Sequence, residues 1–204
     1  MKEIILVGGF HEMIELCEVA GFNIKGIIDN ELTGVYYGYP VIGTDNDAFS
    51  LNEQFPNCQI VIVPDSPQLR KKLVALYRSV GFSFATVVHP AASISRFATI
   101  GEGSIVQQGV NVSANTKIGN FCKLNMGCNV MHDNVIGDYT TIAPNAVLLG
   151  YVSVGELGYI GANSTILPKI IVGELCTVGA GAVVTKNVQP GLVVTGVPAK
   201  ELAK

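Results

Sequence analysis

From Ile94 to Val184 every sixth position is Ile, Leu or Val, sixteen times in succession. The series runs Ile94, Ile100, Val106, Val112, Ile118, Leu124, Val130, Ile136, Ile142, Leu148, Val154, Ile160, Ile166, Val172, Val178 and Val184. A period of six matches neither a 3.6-residue helix nor the two-residue alternation of an ordinary strand. It predicts a hexapeptide β-helix, in which each repeat supplies one short strand and one corner. A second period is nested in the first. Gly101, Gly119, Gly137, Gly155 and Gly173 each follow a repeat aliphatic and lie eighteen residues apart. Three hexapeptides therefore close one coil with three flat faces, and about five coils stack without an insertion. Four residues after each aliphatic the side chain is usually small, as at Ser104, Cys122, Thr140 and Ala182, which suits a corner with little interior room. Asn134, Gly158 and Ile170 depart from that rule.

Before residue 89 the pattern changes. Apolar runs at Ile4 to Val7, Ile24 to Ile28 and Ile60 to Val63 read as strands, with a short one at residues 39–43 and a last one from Phe84 to Val88. Helical spacing follows Gly9, with Ile14, Cys17 and Glu18 at intervals of three and four. A second helix is expected over 67–80, with Leu69, Leu73, Leu76, Tyr77 and Val80 on one face. Strands alternating with helices predict a small parallel α/β unit. The expected organisation is an α/β half-Rossmann domain at 1–88 and an all-β parallel β-helix at 89–204, joined through His89-Pro90. The first strand ends in Gly8-Gly9 before a helix, and the second ends in Asp29. Ligands of such sheets bind at the C-terminal strand ends, and helix N-termini favour anions, so a diphosphate near residues 9–12 is one reading. The run Gly8-Gly9-Phe10-His11-Glu12 is not a full GxGxxG, and a purely structural turn is the other.

A hydrophobic fraction of 49% in 204 residues is ample for a core, and a net charge of −3 without a basic block argues against nucleic acid or an anionic membrane surface as partner. No long apolar span or signal-peptide pattern is present in the sequence. The five cysteines lack metal-type spacing, and Cys122, Cys128 and Cys176 fall on the small-residue position of the repeat. A reduced, cytoplasmic protein without a metal is expected.

The coil region holds one histidine, His132, two residues past Val130 and followed by Asp133. Gly150 stands eighteen residues on, so it should stack one coil away, about 4.8 Å distant. A histidine beside a backbone N–H makes a general base next to an oxyanion donor; a solvated corner histidine is the plainer alternative. Ala162 and Ala180 fall one coil apart in the column of Pro144, where small side chains leave a groove for a long thin ligand or simply fit a corner.

The array ends in Gly196-Val197-Pro198-Ala199-Lys200, and with that the chain resembles the left-handed β-helix acyltransferases that use acetyl-CoA. The α/β domain, His89-Pro90 and the segment from Asn125 to His132-Asp133 resemble the subgroup that acetylates amino sugars on nucleotides, close to the bacillosamine-pathway UDP-4-amino-sugar N-acetyltransferase and the sialic acid O-acetyltransferase group. The resemblance implies the left hand of the helix and acetyl transfer to the amine of a nucleotide-linked amino sugar in bacterial glycan biosynthesis. It implies His132 as base, Asp133 as its carboxylate partner and Asn125 near the sugar amine. Thr141, Gly150, Ala162 and Ala180 then match positions along acetyl-CoA, with the Gly150 N–H toward the thioester carbonyl. Gly9, Phe10 and His11 match the phosphate loop, Asp29 and Asn30 the base-binding pair, and Asp65 the turn beside it. It also implies a homotrimer with coenzyme A between neighbouring solenoids. A sugar O-acetyltransferase and a non-catalytic sugar-nucleotide scaffold remain as alternatives. A zinc carbonic anhydrase would need three coil histidines, and the coils hold one.

Overall fold

The computed structural model describes residues 2–202 and divides the chain after Pro90 into two compact units. In the first unit the order is β1 (Glu3–Val7), α1 (His11–Val19), β2 (Asn23–Ile28), β3 (Val35–Tyr36), β4 (Tyr39–Gly43), α2 (Ala48–Gln54), β5 (Gln59–Ile62), α3 (Pro67–Ser79) and β6 (Ser83–Phe84). The sheet order is β3-β4-β2-β1-β5-β6, parallel except for the β3–β4 hairpin. β1 lies inside, and Ile4, Ile5 and Leu6 are fully buried, as an unbroken apolar run in a parallel sheet requires. The chain reverses direction across the sheet between β1 and β5, which is where such folds open a crevice.

Three local features differ from the sequence expectation. The run from Phe84 to Val88 is not one strand: Ser83–Phe84 and Val87–Val88 are separate. The β3 hairpin and α2 have no periodic signature, being two and seven residues long. Helix α3 buries Pro67, Arg70, Leu73, Val74 and Tyr77, while Leu69 and Leu76 are 44% and 36% exposed. The packed stripe is narrower than the leucine spacing suggests, and a buried arginine takes part in it. Arg70 is 1% exposed and its Nη1 donates to the carbonyls of Pro64 and Asp65 at 2.9 and 3.0 Å, holding the turn that leads into α3.

The second unit is a left-handed parallel β-helix. Its two-residue strands from Ser93 to Val184 stack at an offset of eighteen with no register shift: Val112 pairs with Val130 and Val130 with Leu148 on one face, Ile118 with Ile136 on the next, and Leu124 with Ile142 on the third. The repeat aliphatics from Val106 to Val184 are at most 3% exposed and form the axial core. The small-residue position is buried from Ser104 to Ala182, and Val110 and Val152 occupy it too. Asn134 is there for a different reason. It is fully buried, its Nδ2 donates to the Leu148 carbonyl and its Oδ1 accepts the Val152 N–H at 2.6 Å, so the side chain staples two coils.

Each corner from Gly103 to Gly181 has its second residue in left-handed backbone, at every sixth position without a break. Most of these residues are not glycine, among them Asn115, Asp133 and Tyr151. The left-handed conformation is unfavourable for a side chain in isolation, and the stacked ladders impose it. The five periodic glycines answer to a different constraint. A Cβ at Gly137 would lie 2.5 Å from the Glu156 nitrogen of the next coil, so close coil contact rather than backbone angle requires glycine there. No helix among the described residues is long and apolar enough to cross a membrane.

Candidate active site

His132 and Asp133 form one corner of the solenoid, following the strand Asn129–Val130. Nδ1 of His132 lies 2.8 Å from Oδ2 of Asp133, which leaves Nε2 as the outward nitrogen. The left-handed backbone of Asp133 (φ 59°) turns its carboxylate back toward the preceding ring. Asn115, one coil before, donates from Nδ2 to Oδ1 of Asp133 at 3.2 Å. Tyr151, one coil after, sets its ring edge-on to the imidazole, with centroids 5.3 Å apart and planes at 88°, and its N–H donates to the His132 carbonyl at 3.1 Å. The hydrogen bond with His132 is the main cause holding the Asp133 carboxyl below the usual carboxylate range. Slight burial opposes it, and Asn115, the charge on His132 and the Tyr151 hydroxyl add to it.

Gly150 stacks directly on this corner. A Cβ there would come within 2.6 Å of Cε1 and 2.7 Å of Nε2 of His132, so the glycine makes room for the imidazole. Gly150 is buried under the ring, and its N–H donates to no acceptor among the described residues, whereas its carbonyl accepts from Lys169 at 3.0 Å. A buried unpaired N–H is uncommon and marks a place where a ligand oxygen would be welcome. The structure thus unites His132, Asp133 and Gly150 and adds Asn115 and Tyr151. Sequence reading passed over these two, although both lie eighteen residues from Asp133, the offset that led to Gly150.

Asn125, Thr141, Ala162 and Ala180 belong elsewhere on the solenoid. Asn125 and Thr141 lie on the face of Lys123–Leu124 and Thr141–Ile142, at 6% and 0% exposure. Ala162 and Ala180 stand at the corner closing that face, stacked on Pro144, with Gly181 N–H donating to the Ala162 carbonyl at 2.8 Å. The strand Asn129–Val130 separates this corner column from that of His132, so the two sets do not meet within one chain.

In the first unit a cleft opens at the C-terminal ends of the strands, lined by Gly8, Asp29, Asn30, Asp45, Pro64 and Leu69 among others. Asp29 is engaged in holding loops. Its Oδ2 accepts from Gly9 N–H at 2.8 Å and its Oδ1 from Glu31 and Leu32 at 2.8 and 3.0 Å. A Cβ on Gly9 would meet the terminal methyl of Leu32, which would have to shift to admit it. Phe10 precedes α1 without a side-chain cap, and His11, the first residue of the helix, stacks on Tyr37 at 5.3 Å. Asp65 lies in the turn after β5, beside the cleft rather than lining it. Asp45 and Lys72, which line this cleft or its continuation, carry no sequence signal of their own. The described residues hold no cluster of three His, Cys, Asp or Glu placed for a metal ion.

Residues 115–150 match the bacterial transferase hexapeptide family (six repeats). No curated protein sequence matches the chain. PerB from Caulobacter crescentus, a GDP-perosamine N-acetyltransferase solved with CoA and GDP-perosamine, superposes with a TM-score of 0.93 at 31% identity, covering 100% of this chain and 98% of PerB. That enzyme is also known with one histidine replaced by alanine or asparagine. The acetyltransferase domain of PglB from Neisseria gonorrhoeae, in complex with acetyl coenzyme A, gives 0.90 at 29% identity over 98% of this chain and 99% of the domain. WeeI from Acinetobacter baumannii AYE gives 0.88 at 33% identity over 98% of this chain and 100% of WeeI.

Proposed function

The chain belongs to the hexapeptide-repeat sugar acetyltransferases, and from that membership we propose that it transfers an acetyl group from acetyl-CoA to the amino group of a nucleotide-linked amino sugar. The observation that carries the reading is the His132 corner: a nitrogen base oriented by a carboxylate, directly above a buried N–H with no partner among the described residues.

The chemistry follows from that arrangement. An amine must be neutral to attack a thioester. Nε2 of His132 takes the proton as the nitrogen bonds to the acetyl carbon, while Asp133 holds Nδ1 and stabilises the imidazolium that forms. Negative charge gathers on the thioester oxygen, and the Gly150 N–H is the donor suited to it. Collapse expels the coenzyme as thiol, and the proton on His132 is available to it. No covalent enzyme intermediate and no metal are needed.

Acetyl-CoA suits the residues present. The Ala162 and Ala180 corner offers a run of small side chains along the solenoid axis, and Thr141 belongs to the face that leads to it. Because this corner lies apart from His132 within a chain, a trimer supplies the missing juxtaposition. His132 and Asp133 come from one subunit and the Ala162 and Ala180 column from its neighbour, with Asn125 toward the sugar amine. The nucleotide belongs to the cleft of the first unit, with the diphosphate toward Gly9, Phe10 and His11 and the base toward Asn30. The company of acetyltransferase domains suits a soluble, cytoplasmic enzyme.

A thiol-release assay with acetyl-CoA across UDP-, dTDP- and GDP-linked amino sugars tests this. Coenzyme A release with at least one amino sugar, and none with the corresponding hydroxy sugar, is expected. Release only with hydroxyl acceptors would make it an O-acetyltransferase. No release with any acceptor would remove the enzymatic reading.

A further inference from the structure

Leu69 and Leu76 stand exposed on a helix whose opposite stripe is buried. Together with Lys72 and Leu73 they line a cleft that Asn30 and Asp45 also line. Apolar side chains facing polar ones suit a flat heteroaromatic ring that has a hydrogen-bonding edge.

The polar rim is held in one arrangement. Nδ2 of Asn30 donates to Oδ2 of Asp45 at 2.7 Å, and the Asp45 N–H donates to Oδ1 of Asn30 at 3.0 Å. The hydroxyl of Tyr77, a fully buried residue, donates to Oδ1 of Asp45 at 2.6 Å. These bonds fix which end of the amide faces the carboxylate. Each carboxylate oxygen keeps another lone pair, and Nδ2 keeps its second hydrogen. The rim therefore presents an acceptor and a donor side by side. Asp29 offers no such edge, because its oxygens already accept three backbone N–H groups.

We infer that Asp45, with Asn30 beside it, reads the N–H and carbonyl edge of a lactam base (uracil, thymine or guanine) in the nucleotide part of the substrate. This rests on the nucleotide-sugar reading above and moves the base-reading carboxylate from Asp29 to Asp45. The ring N–H donates to Asp45, and the second Nδ2 hydrogen of Asn30 donates to the neighbouring carbonyl. Adenine and cytosine carry the inverse edge, a ring nitrogen lone pair beside an amino group, and the lone pair would face a carboxylate oxygen. Mismatch at a site built around fixed polar groups is strongly disfavoured. Asparagine at position 30 fits the same logic, since an aspartate there would set two carboxylates against each other.

Calorimetric titration of the full chain with UDP, dTDP, GDP, CDP and ADP tests the assignment. The best lactam nucleotide is expected to bind at least about tenfold more tightly than CDP or ADP. Asp45→Asn keeps an oxygen for Tyr77 but can turn a donor toward the base, and it should erase that margin. Asn30→Asp leaves Asp45 in place but replaces the donor with a second carboxylate facing it, and it should shrink the margin as well. Binding of CDP or ADP as tight as the best lactam nucleotide, or an intact margin in both variants, overturns the base reading while leaving nucleotide binding standing. No binding by any of the five overturns both.

Discussion

At the scale of single residues, the solenoid corner fixes both sides of the surface histidine proposed as the base. Asp133 takes Nδ1 and Tyr151 packs the ring edge, so the imidazole is oriented although it remains half exposed. Asp133→Asn should lower kcat by about tenfold to a hundredfold, less than loss of the base itself. Gly150→Ala is a sharper test of geometry. The new methyl would meet Nε2 at 2.7 Å, and the exposed ring would swing away, with a fall in kcat of about a hundredfold and an almost unchanged melting temperature. An active Gly150→Ala enzyme would show that the ring position is unimportant. In the first unit, partial burial pushes the Asp29 carboxyl up, but N–H donation from Gly9, Leu32 and Glu31 outweighs it and holds the carboxyl below the usual range. A lowered folded-state value means its stabilisation is complete above about pH 4, the unfolded carboxylate value, and is lost as pH falls through the folded value. Melting curves between about pH 7 and pH 2.5 should show Asp29→Ala less stable than wild type at neutrality, with the gap closing in acid. A gap that persists unchanged at the lowest pH would contradict that.

Among the elements, the periodic glycines and the left-handed corners set what a coil tolerates. Gly137→Ala places a Cβ 2.5 Å from the backbone of the next coil and should cost about 1–3 kcal/mol, read from denaturant unfolding followed by circular dichroism. A change under about 0.5 kcal/mol would mean the coils can part without strain. The solenoid was legible because every strand from Ser93 to Val184 is two residues long and every coil repeats one interior demand, so Ile94 to Val184 carries the fold sixteen times over. Gly150 followed from the same offset. In the first unit the buried strands β1, β2 and β5 were the plainest, and the strand at 39–43 and the helices α1 and α3 were legible too. Short elements such as α2 and the β3 hairpin carry too few residues to show a period. The exposed side of α3 misled the helical pattern because Leu69 and Leu76 face a cleft, and apolar spacing alone does not distinguish a core from a binding wall. The Asn30–Asp45–Tyr77 set joins β2, a turn and α3, and no local sequence rule links positions so far apart.

For the whole molecule, the central question is how two corner columns that never meet in one chain come to act together. The proposed trimer with shared sites would answer it: equal amounts of His132→Ala and Ala180→Trp chains, unfolded and reassembled together, should then recover about a quarter of wild-type activity, because each site would draw on two subunits at random. No recovery from a mixture that assembles normally would place each site within one subunit. The most direct test of the account remains the base itself: steady-state coenzyme A release by His132→Ala against wild type, with the best amino-sugar nucleotide. A loss of about 10²–10⁴-fold in kcat, with folding intact, is expected. A variant within about tenfold of wild type would show that some other group takes the proton and that the corner above Gly150 is not where the acetyl group is transferred.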